Sequence, residues 1–72
     1  MNAEKKFAER FKDLMDEKGV NDRELERATG LSNQVIAFWR SGKRVPSLHS
    51  LWILADYFDC SIEYLVGRVD FE

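Results

Sequence analysis

A chain of 72 residues that is 44% hydrophobic and 33% charged fits one domain hiding roughly 60% of its unfolded surface, and this composition excludes a mainly disordered chain. Its longest apolar run, Leu51-Trp52-Ile53-Leu54-Ala55, is far short of the roughly 18–20 residues that span a bilayer, and the charged N-terminal stretch lacks a signal-peptide core, so a cytoplasmic location without membrane contact is expected. The single cysteine, Cys60, excludes an intrachain disulfide, and the formal charge of −2 argues on its face against a nucleic-acid partner.

The first helix is predicted from about residue 3 to 18, where Phe7, Phe11, Leu14, Met15 and Lys18 repeat at i, i+4, i+7 and i+8, with Gly19 as a left-handed stop. Asn21 followed by Glu24 has the spacing of a capping box, and a second helix runs from Asp22 to about Thr29. Gly30 ends it. Ser32 then caps a third helix, Asn33 to about Arg40, which Ser41-Gly42 closes. The only proline, Pro46, lies in a basic loop leading to Ser47, the cap of a fourth helix in which Leu48, Leu51, Ala55 and Phe58 repeat at helical spacing. Ser61 caps a short fifth helix with Ile62, Leu65 and Val66 apolar and Gly67 at its end. The tail, residues 68–72, alternates apolar and acidic groups; this is strand-like and leaves Val69 and Phe71 on one side. The expected fold class is all-α, a compact five-helix domain over residues 1–67 followed by a short tail.

Resolved by position, the charge argument weakens. Residues 30–55 carry Arg40, Lys43 and Arg44 and no acid, whereas residues 56–72 set Arg68 against Asp56, Asp59, Glu63, Asp70 and Glu72. An anionic partner should therefore meet the middle segment. Two helices joined by a short glycine turn present one exposed helix on a supporting one, and the major groove of B-DNA admits such a helix.

Glu17-Lys18-Gly19-Val20, Glu24-Leu25, Gly30-Leu31-Ser32, Ile36 with Trp39, Ser41-Gly42-Lys43-Arg44-Val45-Pro46-Ser47, Leu54-Ala55-Asp56 and Ser61-Ile62-Glu63-Tyr64-Leu65-Val66-Gly67 occur in this order and spacing. Together they resemble the Cro/cI-type, or lambda-repressor-like, helix-turn-helix family over about residues 7–67. The resemblance implies a sequence-specific transcriptional regulator, a repressor of phage or mobile-element type, that binds double-stranded DNA. Residues 22–29 would be its supporting helix and residues 33–40 its recognition helix.

With Val35, Ile36 and Trp39 turned inward, Asn33, Gln34, Ala37 and Phe38 are left toward the groove. Gln34 is the leading base reader, because an amide pairs bidentately with adenine N6 and N7; Asn33 can do likewise. Both can equally do no more than cover a helix N-terminus. Ala37 and Phe38 offer apolar contact to thymine methyls, and Phe38 has two further readings, as a packing residue and as a protein-binding group. Arg40, Lys43 and Arg44 are expected on phosphates, each worth a log–log salt slope of roughly −0.9, against the alternative of a solvated basic loop. The resemblance adds Asn21, Arg23 and Ser32 to the phosphate-contacting set.

Four positions depart from the family pattern. Asp22 stands where a phosphate-touching glutamine is usual, and Glu26 where a small alanine is usual. Met15 and Arg40 stand where an arginine and a glutamate commonly pair. On one account Arg40 is released for phosphate or pairs with Glu26; on another, tight operator binding is lost.

One module makes few phosphate contacts, so a homodimer on a palindromic operator is expected. His49, Ile53 and Tyr57, at i, i+4 and i+8 opposite Leu51, Ala55 and Phe58, are the candidate interface; Trp52, Val69 and Phe71 either extend it or complete the core. No enzyme is expected, since His49 and Cys60 are single residues with no second metal ligand, no triad and no glycine-rich phosphate loop. No metal, cofactor or small-molecule ligand is expected either. A second class of function stays open: a protein-interaction module on the same fold, such as an antirepressor, in which Phe38, Ile53 and Tyr57 touch protein. Asp22 and Glu26 favour it, and the acid-free stretch favours DNA.

Overall fold

In the computed structural model, which describes residues 2–70, five helices follow one another: α1 (Ala3–Lys18), α2 (Asp22–Thr29), α3 (Asn33–Ser41), α4 (Leu48–Phe58) and α5 (Ile62–Leu65). Each opens on a polar cap whose side-chain oxygen accepts a backbone N–H three residues on: Asn2, Asn21, Ser32, Ser47 and Ser61 in turn. These caps satisfy amides that a helix start otherwise leaves without a partner, and they explain why such short helices begin where they do. α3 extends one residue beyond its predicted end, to Ser41.

α1 packs on α3 and α5, α2 on α3 and α4, and α4 on α5. The predicted stripe of α1 supplies the centre of the core, with Phe7, Phe11, Leu14 and Met15 all buried. Phe11 stacks on Phe7 at 5.2 Å and meets the edges of Trp39 and Phe58, each at 6.1 Å. Leu25, Ile36, Leu54 and Leu65 bring one fully buried aliphatic group from each of the other helices. Burial of this apolar surface is the main favourable term for so small a domain.

α4 ends without a glycine: Asp59 takes the left-handed conformation at φ 55°, a region that aspartate tolerates better than most residues. Gly67 is required for a different reason, because at φ 84° an added Cβ would stand 3.3 Å from the Lys6 carbonyl oxygen.

Two expectations fail. Leu48 has the right periodicity for the core but is 69% exposed; at the first position of α4 it lies beyond the packed layer, and the buried stripe instead runs through Leu54, Ala55 and Phe58. The tail is not strand-like where described: residues 68–70 form bends and irregular chain. Val69 is half-buried, and its carbonyl accepts a hydrogen bond from Arg10 Nη1 at 3.1 Å. The same nitrogen donates to the Tyr64 carbonyl at 2.7 Å, the guanidinium lies 3.8 Å from the Tyr64 ring centroid, and Nη2 reaches Asp70 at 3.2 Å. Arg10 thus ties the chain after α5 to α1. Phe71, the other expected tail contact, lies outside the described residues.

Ile36→Ala should lower stability by about 2–5 kcal/mol, a large part of the roughly 4–11 kcal/mol available to a chain of this length. Leu48→Ala should stay within about 0.5 kcal/mol. Urea unfolding of both variants at low protein concentration checks the contrast, and equal losses would contradict the placement of Leu48.

Candidate nucleic-acid interface

Complementary caps set the start of α2 and the turn between α2 and α3. Asn21 Oδ1 accepts the Glu24 N–H at 2.8 Å while Glu24 Oε1 accepts the Asn21 N–H at 3.0 Å, the predicted capping box. Gly30, at φ 79°, donates its N–H to the Glu26 carbonyl at 2.8 Å and turns the chain toward Ser32. Ser32 Oγ then accepts the Val35 N–H at 3.2 Å and starts α3.

α3 has two unlike faces. Ile36 and Trp39 are buried, and Val35 packs half-buried beside them. On the outer side Asn33 and Gln34 are exposed, whereas Ala37 and Phe38 are half-buried. The four expected groove-facing residues are therefore brought onto one surface, with its polar end the more accessible.

Of the six expected phosphate-contacting residues, Asn21, Arg23, Ser32, Arg40, Lys43 and Arg44 are all exposed. Asn21 and Ser32 serve as helix caps. Arg44 folds back so that its guanidinium carbon lies 4.8 Å from the Phe38 ring centroid. This is a cation–π arrangement, and no carboxylate among the described residues pairs with this guanidinium. Phe38 is thus both a partly packed residue and a platform for Arg44.

Arg40 does not pair with Glu26. Its Nη2 donates to Asp22 Oδ2 at 2.8 Å, while Glu26 accepts the Asn33 backbone N–H at 3.1 Å and Asn33 Nδ2 at 3.2 Å. The reason is the crossing of the two helices: the start of α2 lies beside the end of α3, and the middle of α2 lies beside the start of α3. Asp22 and Glu26 each have a donor as a result, and Glu24 has one in the N–H of its own helix cap, Asn21. Among the described residues no ion pair takes up Arg23, Lys43 or Arg44. Met15, in place of the family's arginine, is buried in the core. Neither the Asp22–Arg40 pair nor the Glu26–Asn33 contact was legible in sequence, because both join residues on different helices.

The residues weighed as a dimer surface differ in exposure. His49 is exposed and Trp52 is 62% exposed, while Ile53 is half-buried. Tyr57 is half-buried, with its ring against Phe58 at 5.0 Å and Lys18 Nζ 4.7 Å from its centroid. Sequence reasoning missed Leu48 and Val45, which is 49% exposed. Val45 lines a groove of about 280 Å³ together with Lys6, Phe7, Pro46, Leu51, Val66 and Arg68, whereas Trp52 borders a separate recess with Ala55, Asp56, Cys60 and Ile62.

Among the described residues no group of three or more His, Cys, Asp or Glu side chains is arranged to hold a metal ion. No helix among them is long and apolar enough to cross a membrane. In comparisons with known proteins, a family model described as helix-turn-helix matches residues 11–65. No curated protein and no solved structure matches the chain.

The Asp22–Arg40 pair is partly exposed on both sides, so Arg40→Ala should cost no more than about 1 kcal/mol. Asn21→Ala, which removes a cap that orders α2, should cost about 0.5–2 kcal/mol. Urea unfolding that finds Arg40→Ala the more damaging would contradict a pair weak enough to yield to a phosphate.

Proposed function

The chain belongs to the Cro/cI-type helix-turn-helix family, whose members are DNA-binding transcription regulators, and we propose that it acts as a sequence-specific repressor of phage or mobile-element type. In this reading α3 enters the major groove of double-stranded DNA. Asn33 and Gln34 meet base edges, and Ala37 and Phe38 meet thymine methyls. Arg23, Lys43 and Arg44 hold phosphates together with the polar groups of Asn21 and Ser32. Arg40 joins them by exchanging Asp22 for a phosphate oxygen.

The observation that carries this reading is the pairing of an exposed polar start of α3 with cations that no carboxylate among the described residues takes up, next to α2 acids that are each engaged by a donor. Such a surface is positive where it must be, despite the net charge of −2.

A palindromic operator requires a two-fold dimer. We assign the second copy to the flank of Leu48 and Trp52, because a self-complementary interface needs projecting groups and a recess on the same surface. Those two exposed side chains stand one helical turn apart on α4, and Trp52 borders a recess lined by Ala55, Cys60 and Ile62. His49 rims this flank; Ile53, Tyr57 and Val69 are more covered. The second reading, a protein-interaction module, draws on the same apolar flank and on the engagement of Arg40 by Asp22.

Binding to mixed-sequence duplex DNA should be measurable at low salt and weaken with a log–log slope of roughly −0.9 per phosphate contact. Asp22→Asn should tighten binding with little change in that slope, because Arg40 then reaches its phosphate without first giving up a carboxylate, whereas the double change Lys43→Glu with Arg44→Glu should make the slope shallower by about two contacts. No binding at low salt defeats the repressor reading in favour of the protein-interaction module. In sedimentation equilibrium the chain should approach the dimer mass at high micromolar concentration, and Trp52→Ser should return it to the monomer. A monomer at every concentration contradicts the assigned interface.

A further inference from the structure

Glu26 gives each of its two carboxylate oxygens to the same residue. Oε2 accepts the backbone N–H of Asn33 at 3.1 Å, and Oε1 accepts the Asn33 side-chain nitrogen at 3.2 Å. An ionised carboxylate only accepts hydrogen bonds, so the nitrogen of the Asn33 amide must face it and the oxygen must face away. Because the same carboxylate holds the backbone N–H, the amide hydrogen it uses is the one on the backbone side. The other amide hydrogen and Oδ1 are left side by side on the outer edge of an exposed residue at the first turn of α3. This adjacent donor and acceptor form the pattern that meets N7 and N6 of adenine.

A terminal amide that nothing fixes turns broadly about its last torsion and presents either edge. Gln34 is in that condition, with no side-chain hydrogen bond among the described residues. Asn33 is not. We propose that Glu26 is a specificity-determining positioning residue: it fixes the Asn33 amide in the orientation that reads adenine, at the cost of a negative charge close to the DNA. The proposal rests on the DNA-binding reading and adds to it a base, a reader and the residue that aims the reader. It also accounts for an acid at a position where a small residue is usual.

The test is selection of bound sequences from a random duplex pool with wild type, Glu26→Ala, Glu26→Gln and Asn33→Ala. Dissociation constants are then measured on the selected duplex, on its single-base variants and on mixed-sequence DNA. Wild type should prefer adenine at one position of the half-site by roughly 5- to 150-fold. Asn33→Ala should abolish that preference. Glu26→Ala should remove most of it while binding mixed-sequence DNA as tightly as wild type or more tightly, because a charge repelling phosphate is gone. A residue that merely stabilised the fold would instead weaken binding to all sequences together.

Glu26→Gln keeps the side chain's shape but offers only one accepting oxygen for two donors, so it too should reduce the preference; it carries the test if the alanine variant fails to fold by circular dichroism. An adenine preference unchanged in the folded Glu26 variants, or retained by Asn33→Ala, overturns the proposal and leaves the DNA-binding reading standing. A wild-type chain that binds no duplex at low salt overturns both.

Discussion

Everything distinctive about this molecule depends on the burial of Ile36 and Trp39. α3 has nine residues, fewer than the roughly 12–15 at which an isolated helix becomes even marginal in water. It exists because Ile36 is fully buried and Trp39 lies edge-on to Phe7 at 6.5 Å and to Phe11 at 6.1 Å. A helix held by one face leaves the other face to solvent. The outer row of Asn33, Gln34, Ala37 and Phe38 follows directly from which side of α3 the aromatic core takes.

The second constraint is electrostatic. A chain with a formal charge of −2 can present a surface suited to phosphates only if its nearby acids are otherwise engaged. Three carboxylates on α2 meet that condition in different ways: Asp22 takes Arg40, Glu24 closes the cap with Asn21, and Glu26 holds Asn33. Read along the sequence, two of these acids look like obstacles to DNA binding. In three dimensions Glu26 orders the start of α3 beside the turn, and Asp22 ties the start of α2 to the end of α3. The weak, partly exposed Asp22–Arg40 pair is the natural one to yield when a phosphate approaches.

Much of the fold was legible because short helices announce themselves through caps and periodicity. Asn21 with Glu24, Ser32, Ser47 and Ser61 mark helix starts through local hydrogen bonds, which depend on residues close in sequence. The core stripe of α1 was equally readable from its spacing. Leu48 was misread because periodicity reports which face a residue occupies, not whether another helix extends far enough to cover that end. The tail was misread because two alternating pairs are too little pattern to outweigh Arg10, whose hold on Tyr64 and Val69 spans more than 50 residues. At the site the residue types were legible but their partners were not: the crossing of α2 and α3 decides those of Arg40 and Glu26, and the path of the loop after α3 brings Arg44 onto Phe38.

The central claim is that the outer face of α3 and the loop after it form the surface that meets DNA. Titration of isotopically labelled protein with a short duplex, followed by amide NMR, tests it most directly. The account predicts that shifts and broadening concentrate at Asn33, Gln34, Ala37, Phe38, Lys43 and Arg44, with the arginine and asparagine side-chain signals moving alongside. Perturbations confined to Leu48, Trp52 and their neighbours on α4, with α3 unmoved, would contradict it.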